Sequence, residues 1–391
     1  MRIAMVAPLV EAVPPRQYGG TERVVSVLTE ELVRRGHQVT LFASGDSETK
    51  AKLVACSQQS LRLNGDDRLL HASVLLELAE VYEKAKDFDL VHSHVDWLAF
   101  PFARLFGIPT VSTTHGRLDL AAVRKTYDCF PEQALVSISR DQRNYLPDAN
   151  WLATVYNGIA LEHYHFREQP GDYLVFLGRI SPEKRPDRAI EIAGRAGMRL
   201  IIAAKVDPAD RDYYEDKIAP LIRLSPWAEY VGEVNEPVKD ELLGHAYAYL
   251  FPIDWPEPFG LTMVEAMATG TPVVACRAGS VPEVVQDGVT GFICNTVTDM
   301  VDAVGKVGSL RRTDCRAYVE QRFSGHAMAD GYEEVYARLA SHDTSATDRL
   351  LLSRKHAHSP HGAQSPASPE LVSQRHYARP PKRRLIRGVA S

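Results

Sequence analysis

Short apolar runs alternate with amphipathic stretches along most of the chain, and this alternation restricts the possible folds more than any other feature. Ile3–Ala7 and Gln38–Ala43 are apolar enough for buried strands, and Thr21–Arg35 between them carries its apolar residues at helical spacing. Parallel strands that are joined by a helix need a right-handed crossover within one sheet. The pattern therefore predicts an α/β protein that is built on parallel sheets.

The alternation is interrupted once, between Asn157 and Asp172. Turn-forming pairs lie near both ends of this interval, and a new series of strands and helices starts at Tyr173. A chain of 391 residues is long enough for two such domains. We predict Rossmann-like domains over residues 1–165 and 166–325, which face each other across a cleft at the carboxyl ends of their strands.

The composition changes near the end of the chain. Met328–Leu339 has the spacing of a last amphipathic helix, whereas residues 345–391 carry nine Lys and Arg against two Asp and Glu. We predict a helix over 326–340 and a disordered basic tail over 341–391. A solvated tail without a partner suits this composition, and so does a weak anchor for an anionic membrane surface or for RNA.

Charge and cysteine usage exclude several classes of protein. The net charge of −5 provides no basic field for nucleic acid, and no apolar run approaches the length of a membrane-spanning helix. The five cysteines are far apart and form no CxxC pair, which argues against a zinc site or a disulfide framework. These features are typical of a cytoplasmic protein. The oligomeric state stays open.

Gly19 and Gly20 follow the first predicted strand and open the first predicted helix. Glycines at this place let the backbone approach a ligand closely, and the N-terminus of a helix attracts a diphosphate. A flexible loop with Thr21 as the helix cap would give the same pattern. The dinucleotide fingerprint GxGxxG is absent here, which counts against NAD.

Arg179 and Lys184 lie in a basic loop directly after the first predicted strand of the second domain, Tyr173–Leu177. The carboxyl end of that strand should face the cleft. Two cations there can neutralise the phosphates of a nucleotide diphosphate, as a divalent metal does in other enzymes. An ordinary solvated loop is the alternative, since most Lys and Arg in loops are solvated.

Two carboxylates, Glu257 and Glu265, flank the start of a predicted helix over Leu261–Thr269. Pro258 predicts that the helix begins close to Glu257. Glu265 then lies within an apolar helix, where a carboxylate needs hydrogen-bonding partners. A separation of about 12 Å along the helix is too large for a glycosidase pair. It suits one carboxylate on a sugar and the other on the hydroxyls of a ribose.

His115 follows the predicted strand Thr110–Thr114 and should face the same cleft. It can donate to a sugar hydroxyl or act as an acid or base, although single histidines are more often structural. His92 and His94 form an HxH pair after another predicted strand. Because no third ligand accompanies them in the sequence, we predict no metal site.

Taken together, these motifs resemble glycosyltransferase family 4, whose members have the GT-B fold. The resemblance covers about residues 1–340. Its most specific part is the pair of glutamates separated by seven residues (the EX7E element), with Pro258, Phe259 and Gly260 beside the first glutamate.

The resemblance implies how a nucleotide-sugar donor would bind. Amides near Gly19 and Gly20 would contact its diphosphate, and Arg179 and Lys184 would hold the phosphates and stabilise the leaving group. The other implied contacts are with the transferred sugar (Glu257 and His115), with the ribose (Glu265), with the nucleobase (Glu233), and along the donor site (Phe259, Gly260 and Leu261).

It also implies a retaining, metal-independent hexosyltransferase that needs no cofactor. UDP-glucose is the first expected donor and GDP-mannose the second. The acceptor stays open among lipids, polysaccharides and small molecules, and we expect the loops Glu11–Tyr18 and Gly45–Gly65 to carry acceptor specificity. Two alternatives remain, namely a GT-B-like sugar-nucleotide epimerase and a catalytically silent protein that binds nucleotide sugars.

Overall fold

The structure, a computed structural model, describes residues 1–64 and 70–356. Its N-terminal half contains a seven-stranded sheet with strands β1 (Arg2–Val6), β2 (Gln38–Ser44), β3 (Lys52–Ser57), β4 (Leu90–Ser93), β5 (Thr110–Thr114), β6 (Ala134–Ser137) and β7 (Trp151–Thr154). The order across this sheet is β3-β2-β1-β4-β5-β6-β7, and every pair of neighbours is parallel.

The C-terminal half repeats the same plan with six parallel strands. They are β8 (Tyr173–Arg179), β9 (Arg199–Lys205), β10 (Ala228–Gly232), β11 (Ala248–Phe251), β12 (Val273–Cys276) and β13 (Gly291–Cys294). Their order is β10-β9-β8-β11-β12-β13. In both sheets the strand order reverses beside the first strand, and ligands of such sheets bind at the carboxyl ends there. The predicted pair of Rossmann-like domains is confirmed.

Helices connect the strands of each sheet. Those of the N-terminal half are α1 (Gly20–Arg34), α2 (Leu61–Asn64), α3 (Leu70–Glu83), α4 (Phe100–Phe106), α5 (Ala121–Asp128) and α6 (Arg140–Arg143). Those of the C-terminal half are α7 (Pro186–Ala196), α8 (Arg211–Tyr213), α9 (Ala219–Leu224), α10 (Glu236–Gly244), α11 (Leu261–Ala268), α12 (Val281–Val284), α13 (Val297–Lys306) and α14 (Arg312–Arg322). A π-helical turn over Tyr214–Ile218 joins α8 to α9.

The last helix, α15 (Gly325–His356), returns to the N-terminal half. Tyr332 and Tyr336 are fully buried in the core beneath the first sheet, together with Met328 and Val335. The Tyr332 hydroxyl lies 2.9 Å from the Thr113 hydroxyl at the end of β5. The first part of α15 therefore completes the N-terminal core.

The predicted tail over 341–391 is wrong in its first part, because α15 continues through residues 341–356. These residues contain no proline or glycine, and Pro360 is the first proline after α15 begins. The average composition of residues 341–391 did not indicate that the helix continues. Residues 357–391 lie outside the described residues. By contacts the chain divides into the units Met1–Ser345 and Ala346–Ser391.

The chain passes between the halves at two adjacent places. Ile159, after β7, and Ser324, before α15, form an isolated parallel bridge. The Ile159 amide donates to the Phe323 carbonyl at 2.9 Å, and the Gly325 amide donates to the Ile159 carbonyl at 3.1 Å. The two connections are thus bonded to each other.

Two strands, β3 and β13, were not predicted. Residues Gly45–Gly65 were expected to be a loop, but they contain β3, which pairs with β2 at the edge of the sheet. No residue of β3 is fully buried. It therefore lacks the continuous apolar run that marks the inner strands.

Candidate active site

Arg179 is the last residue of β8, where the strand order of the second sheet reverses. Its guanidinium is ion-paired with Glu183, and it lies 3.3 Å from Asp210 and 3.7 Å from Asp207. Burial lowers the pKa of Arg179, but the surrounding carboxylates outweigh burial and raise it. A third of the side chain is exposed (33%), so this fixed cation stays accessible.

Lys184, five residues later, is bound to the first glutamate of the EX7E element. Its ammonium donates to Oε2 of Glu257 and lies over the ring of Trp255, 5.1 Å from the centroid. The backbone of Glu257 is held by Ser280, whose amide donates to the Glu257 carbonyl at 2.9 Å. Both charged groups are largely buried, with 15% and 11% of their side chains exposed. The structure brings these two predicted residues together.

Glu265, the second glutamate of this element, is buried within α11. Tyr164 donates to Oε1 at 2.9 Å, and Lys239 donates to the same oxygen at 2.7 Å. Burial alone would raise the pKa of Glu265, but Lys239 and then Arg23 outweigh burial, and the pKa is lowered. The carboxylate is therefore ionised, and within the described residues no hydrogen bond reaches its second oxygen.

The network around Glu265 extends to the other half of the molecule. Lys239 also pairs with Glu236 at 2.6 Å, and Glu236 pairs with Arg23 of α1 at 3.0 Å. Lys239 is itself buried. Contacts on both halves therefore hold the predicted ribose-binding carboxylate.

Gly19 and Gly20 lie where α1 meets the C-terminal half. A Cβ on Gly20 would lie 3.6 Å from Cδ1 of Leu261, the first residue of α11. A Cβ on Gly19 would lie 2.6 Å from Cβ of Pro15, so no side chain fits there. The N-termini of α1 and α11 thus adjoin each other, and each offers unpaired amides to an anion.

The helix after Glu257 begins at Leu261, as predicted, and Gly260 before it has a left-handed conformation (φ 78°). The Phe259 side chain is buried between Tyr156 and Phe323. Its ring packs in the core and leaves only the Phe259 backbone available to a donor.

His115 follows β5, and its ring contacts that of His94, which follows β4. His94 Nδ1 lies 2.8 Å from His115 Nε2. Burial lowers the pKa of His115 to about 4 and that of His94 well below its ordinary value. Both imidazoles are therefore neutral near pH 7.

Asp96 is a neighbour of His115 that the sequence did not reveal. The His115 amide donates to Oδ1 of Asp96 at 3.4 Å, and Asp96 has a left-handed backbone with φ 48°. Burial raises the pKa of Asp96 to about 6. Strained backbone of this kind in a non-glycine residue is often found at functional sites. The one available signal was an acidic residue two positions after the HxH pair.

Glu233, the predicted contact of the nucleobase, is bound across the cleft by a residue that sequence reasoning missed. Arg62 of α2 pairs with Glu233 at 3.2 Å and with Glu11 at 2.6 Å. The Tyr18 amide donates to Glu233 at 3.3 Å. In this arrangement Glu233 links the two halves.

The described residues contain neither a cluster of metal ligands nor a membrane-spanning helix. Across 1–64 and 70–356, no three or more His, Cys, Asp or Glu side chains are grouped as ligands for a metal ion. In that part of the chain no helix combines the length and the apolar character needed to cross a bilayer.

Comparison with known proteins identifies the relatives of this chain. The family model of glycosyltransferase family 4 matches residues 18–163, and that of group 1 glycosyl transferases matches residues 164–321. The D-inositol 3-phosphate glycosyltransferase of Streptomyces scabiei is 28% identical over 254 residues, which are 53% of this chain and 56% of that protein. The match thus spans little more than half of that relative.

Two further proteins match over a larger share of their length. The glycogen synthase of Mycobacterium tuberculosis is 27% identical over 349 residues, covering 75% of this chain and 82% of its own. The structure of sucrose-phosphate synthase from Thermosynechococcus elongatus superposes with a TM-score of 0.72 at 18% identity, over 87% of this chain and 99% of that one. At this identity the superposition establishes the fold alone. With its two sheets and both family models, this chain belongs to glycosyltransferase family 4 and is a glycosyltransferase of the GT-B fold.

Proposed function

We propose that the protein transfers a hexosyl group from a nucleotide-diphosphate sugar, with retention of anomeric configuration and without a metal. The observation that carries this proposal is the cationic pair at the end of β8. Arg179 and the Lys184–Glu257 ion pair lie at the carboxyl edge of the second sheet. This is the place where sheets of this order bind ligands.

The donor's phosphates would lie between the cations and the helix N-termini. Arg179 and Lys184 supply two positive charges, and amides near Gly19 and Gly20 supply neutral donors. A diphosphate leaving group gains negative charge as its bond to the sugar breaks. Preorganised donors stabilise such charge most strongly in a site that excludes water.

The remaining contacts divide between the sugar and the nucleoside. Glu257 holds the transferred sugar and His115 contacts it from the other half. The ribose bonds the second oxygen of Glu265, which supports that role because Oε1 already accepts from Tyr164 and Lys239. Glu233 is near the nucleobase, where binding would compete with Arg62.

Retention follows if the acceptor attacks on the side that the phosphate leaves. The bond from the anomeric carbon to the phosphate oxygen breaks, and a bond to the acceptor oxygen forms on the same face. The proton of the acceptor hydroxyl goes to the departing phosphate. Glu257 is bound by Lys184 in the structure, which supports a positioning role for this carboxylate rather than attack on the sugar.

UDP-glucose is the first donor to test and GDP-mannose the second. The names of the relatives support a phosphorylated cyclitol or a polysaccharide as the first acceptors to try, ahead of a lipid. Membership of a transferase family supports transfer over epimerisation or donor binding without catalysis.

The proposal is tested by thermal unfolding with a panel of nucleotide sugars in the presence of EDTA. A donor at 100 times its Kd should stabilise the protein by about 2.7 kcal/mol and raise Tm by more than about 1 °C. The stabilising donor is then incubated with inositol phosphates and glycogen, and the anomeric configuration of the product is read by NMR. No stabilisation by any nucleotide sugar, loss of transfer in EDTA, or an inverted product would each contradict the proposal.

A further inference from the structure

The imidazoles of His94 and His115 share one hydrogen bond, and the proton in that bond is not fixed by the two residues alone. The rings follow neighbouring strands, β4 and β5, with His94 Nδ1 2.8 Å from His115 Nε2. A neutral imidazole carries one proton and one lone pair. Since burial keeps both rings neutral, one ring donates and the other accepts.

The surroundings of His94 decide between the two arrangements. Its Nε2 is buried and has no hydrogen-bond partner in the described part of the chain. If His115 donated, the proton of His94 would lie on that nitrogen as a buried donor without an acceptor. If His94 donates from Nδ1, only a lone pair is left without a partner. Buried N–H groups without partners are the rarer case in proteins.

The ring of His94 is held firmly in this orientation. Its backbone amide donates to the Val6 carbonyl at 2.9 Å, and its ring lies against that of His92 with centroids 4.1 Å apart. Both nitrogens of His92 are bonded, to the hydroxyls of Tyr336 and Thr113 at 2.8 Å each. A shift of His94 would therefore disturb a fully bonded neighbour.

The other titratable groups near His115 do not alter this assignment. Asp96 accepts from the backbone amide of His115, and no hydrogen bond joins its carboxylate to the His115 ring among the described residues. The effects that lower the pKa of His94 are burial first, and then the proximity of His92 and His115. Tyr127, whose hydroxyl has no partner in the described chain, lies near Asp96.

We infer that His94 is a positioning residue that fixes His115 as the tautomer with its proton on Nδ1. His115 Nδ1 has no bond to a described residue, and it is not among the buried atoms that lack a partner. A ligand can therefore reach it. This inference rests on the proposed function. In it, the neutral His115 ring donates a hydrogen bond to an oxygen of the transferred sugar and does not act as an acid or base.

The test reads the tautomer directly in the full-length protein without any donor. The histidine rings are labelled with 15N, and the His115 signals are identified by their loss in His115→Gln. We expect the Nδ1 signal of His115 to have the shift of a protonated nitrogen and Nε2 that of an unprotonated one. The reverse pattern would overturn the inference, whatever the activity.

Two substitutions of similar size at His94 test its effect on catalysis. In His94→Asn the side-chain amide can still donate to Nε2 of His115, so kcat should stay within about tenfold of wild type. In His94→Asp the carboxylate can only accept, which moves the His115 proton to Nε2. Loss of one donor to the reacting sugar should lower kcat by about 10²-fold.

The same variants also separate failure of this inference from failure of the proposed function. Equal activity of His94→Asn and His94→Asp, or greater activity of His94→Asp, would contradict the inference. If no nucleotide sugar proves to be a donor, the proposed function fails, but the NMR spectrum of the free protein still decides the tautomer.

Discussion

At the scale of single residues, the cations of the candidate site are already paired with carboxylates. Arg179 faces Glu183, Asp207 and Asp210, and Lys184 faces Glu257. A ligand with one negative charge would gain little by displacing these partners. A diphosphate bears enough charge to compete for both cations at once, which is consistent with a nucleotide-diphosphate donor.

Removal of either cation should slow the chemical step. Arg179→Ala and Lys184→Ala each remove a group that stabilises the leaving phosphate, and each should lower kcat by about 10²- to 10³-fold. Steady-state kinetics with the best donor would measure this. The control is Arg199→Ala, which removes an exposed pair with Glu229. Arg199 is the first residue of β9 and therefore lies at the edge of the sheet opposite to the site. Rates near wild type in both site variants would mean that other groups stabilise the leaving phosphate.

Glu77 of α3 should make the folded protein less stable as the pH rises. It is 1% exposed, neither of its oxygens has a partner in the described residues, and burial, followed by Glu80, raises its pKa well above the ordinary value. Because folding raises the pKa of this acid, the folded state accommodates its protonated form better than its ionised form. The free energy of unfolding therefore falls as the pH increases above about 4.5.

Glu77→Met should therefore raise the free energy of unfolding by about 1–3 kcal/mol at pH 8, with a smaller gain at pH 5. Urea denaturation at both pH values measures the difference. Glu83→Gln, an exposed change at the end of the same helix, serves as the control. A destabilised Glu77→Met protein would show that the carboxyl group has a favourable role in the fold.

The positions of the site residues could be predicted better than their partners. Arg179, Lys184 and His115 follow predicted strands, and parallel strands bring such residues to one edge. The partners of Glu265 were not predictable, because Tyr164 lies 101 residues away in sequence and Lys239 lies 26 residues away. The bond between His94 and His115 was not predictable either, since the pattern indicates where the strands end but not how far apart these ends lie in the sheet.

At the scale of elements, the sequence predicted most strands and helices from their apolar periodicity. β5 has the predicted bounds. The edge strand β3 was missed because it is only partly buried. The start of α11 at Leu261 was predicted, whereas the left-handed conformation of Gly260 before it was not.

The contact between the two chain connections should depend on Gly158. A Cβ there would lie 2.5 Å from the Ser324 carbonyl oxygen and 3.0 Å from Cα of Gly325. These backbone atoms cannot rotate away as a side chain would. Gly158→Ala should therefore lower the free energy of unfolding by about 1–3 kcal/mol, as overpacking of a core does.

A matched glycine in α13 gives the opposite expectation. No atom lies within 4 Å of a Cβ built on Gly305. Gly305→Ala should raise stability by about 0.5–1 kcal/mol, because alanine restricts the unfolded chain and favours helix. Thermal and urea unfolding of both variants would check this pair. Similar effects of the two substitutions would show that the approach at Gly158 is not restrictive.

At the scale of the whole molecule, polar contacts join the halves at several places. Arg62 pairs with Glu233 and Arg23 with Glu236, while Glu283 accepts from the amides of Arg140 and Asp141 at 2.8 Å. Contacts of this kind favour a closed arrangement weakly, so a change of one pair should shift the balance rather than abolish it.

Arg62→Ala should make the free protein open more often. Loss of a partly exposed pair is worth about 0.2–1 kcal/mol, which corresponds to an increase of up to about fivefold in the open population. We expect a larger radius of gyration in X-ray scattering. Added salt should reproduce this effect in the wild-type protein, because it screens the pair. Arg34→Ala, which removes a pair within α1, is the control.

The basic stretch of the sequence also belongs to this scale. A weak contact of 341–391 with an anionic membrane surface stays a prediction. Every residue assigned here to donor binding lies within Met1–Ser345, the first of the two units.

The paired connections at Ile159 and Ser324 have a mechanical consequence. Two connections that are bonded side by side act as a hinge with one axis. The hinge bends easily about this axis, whereas it resists shear and twist between the two halves. The halves of this molecule can then change the width of the gap without losing the alignment of its faces. After each opening, the groups that contact one substrate from opposite halves of the molecule return to the same relative positions.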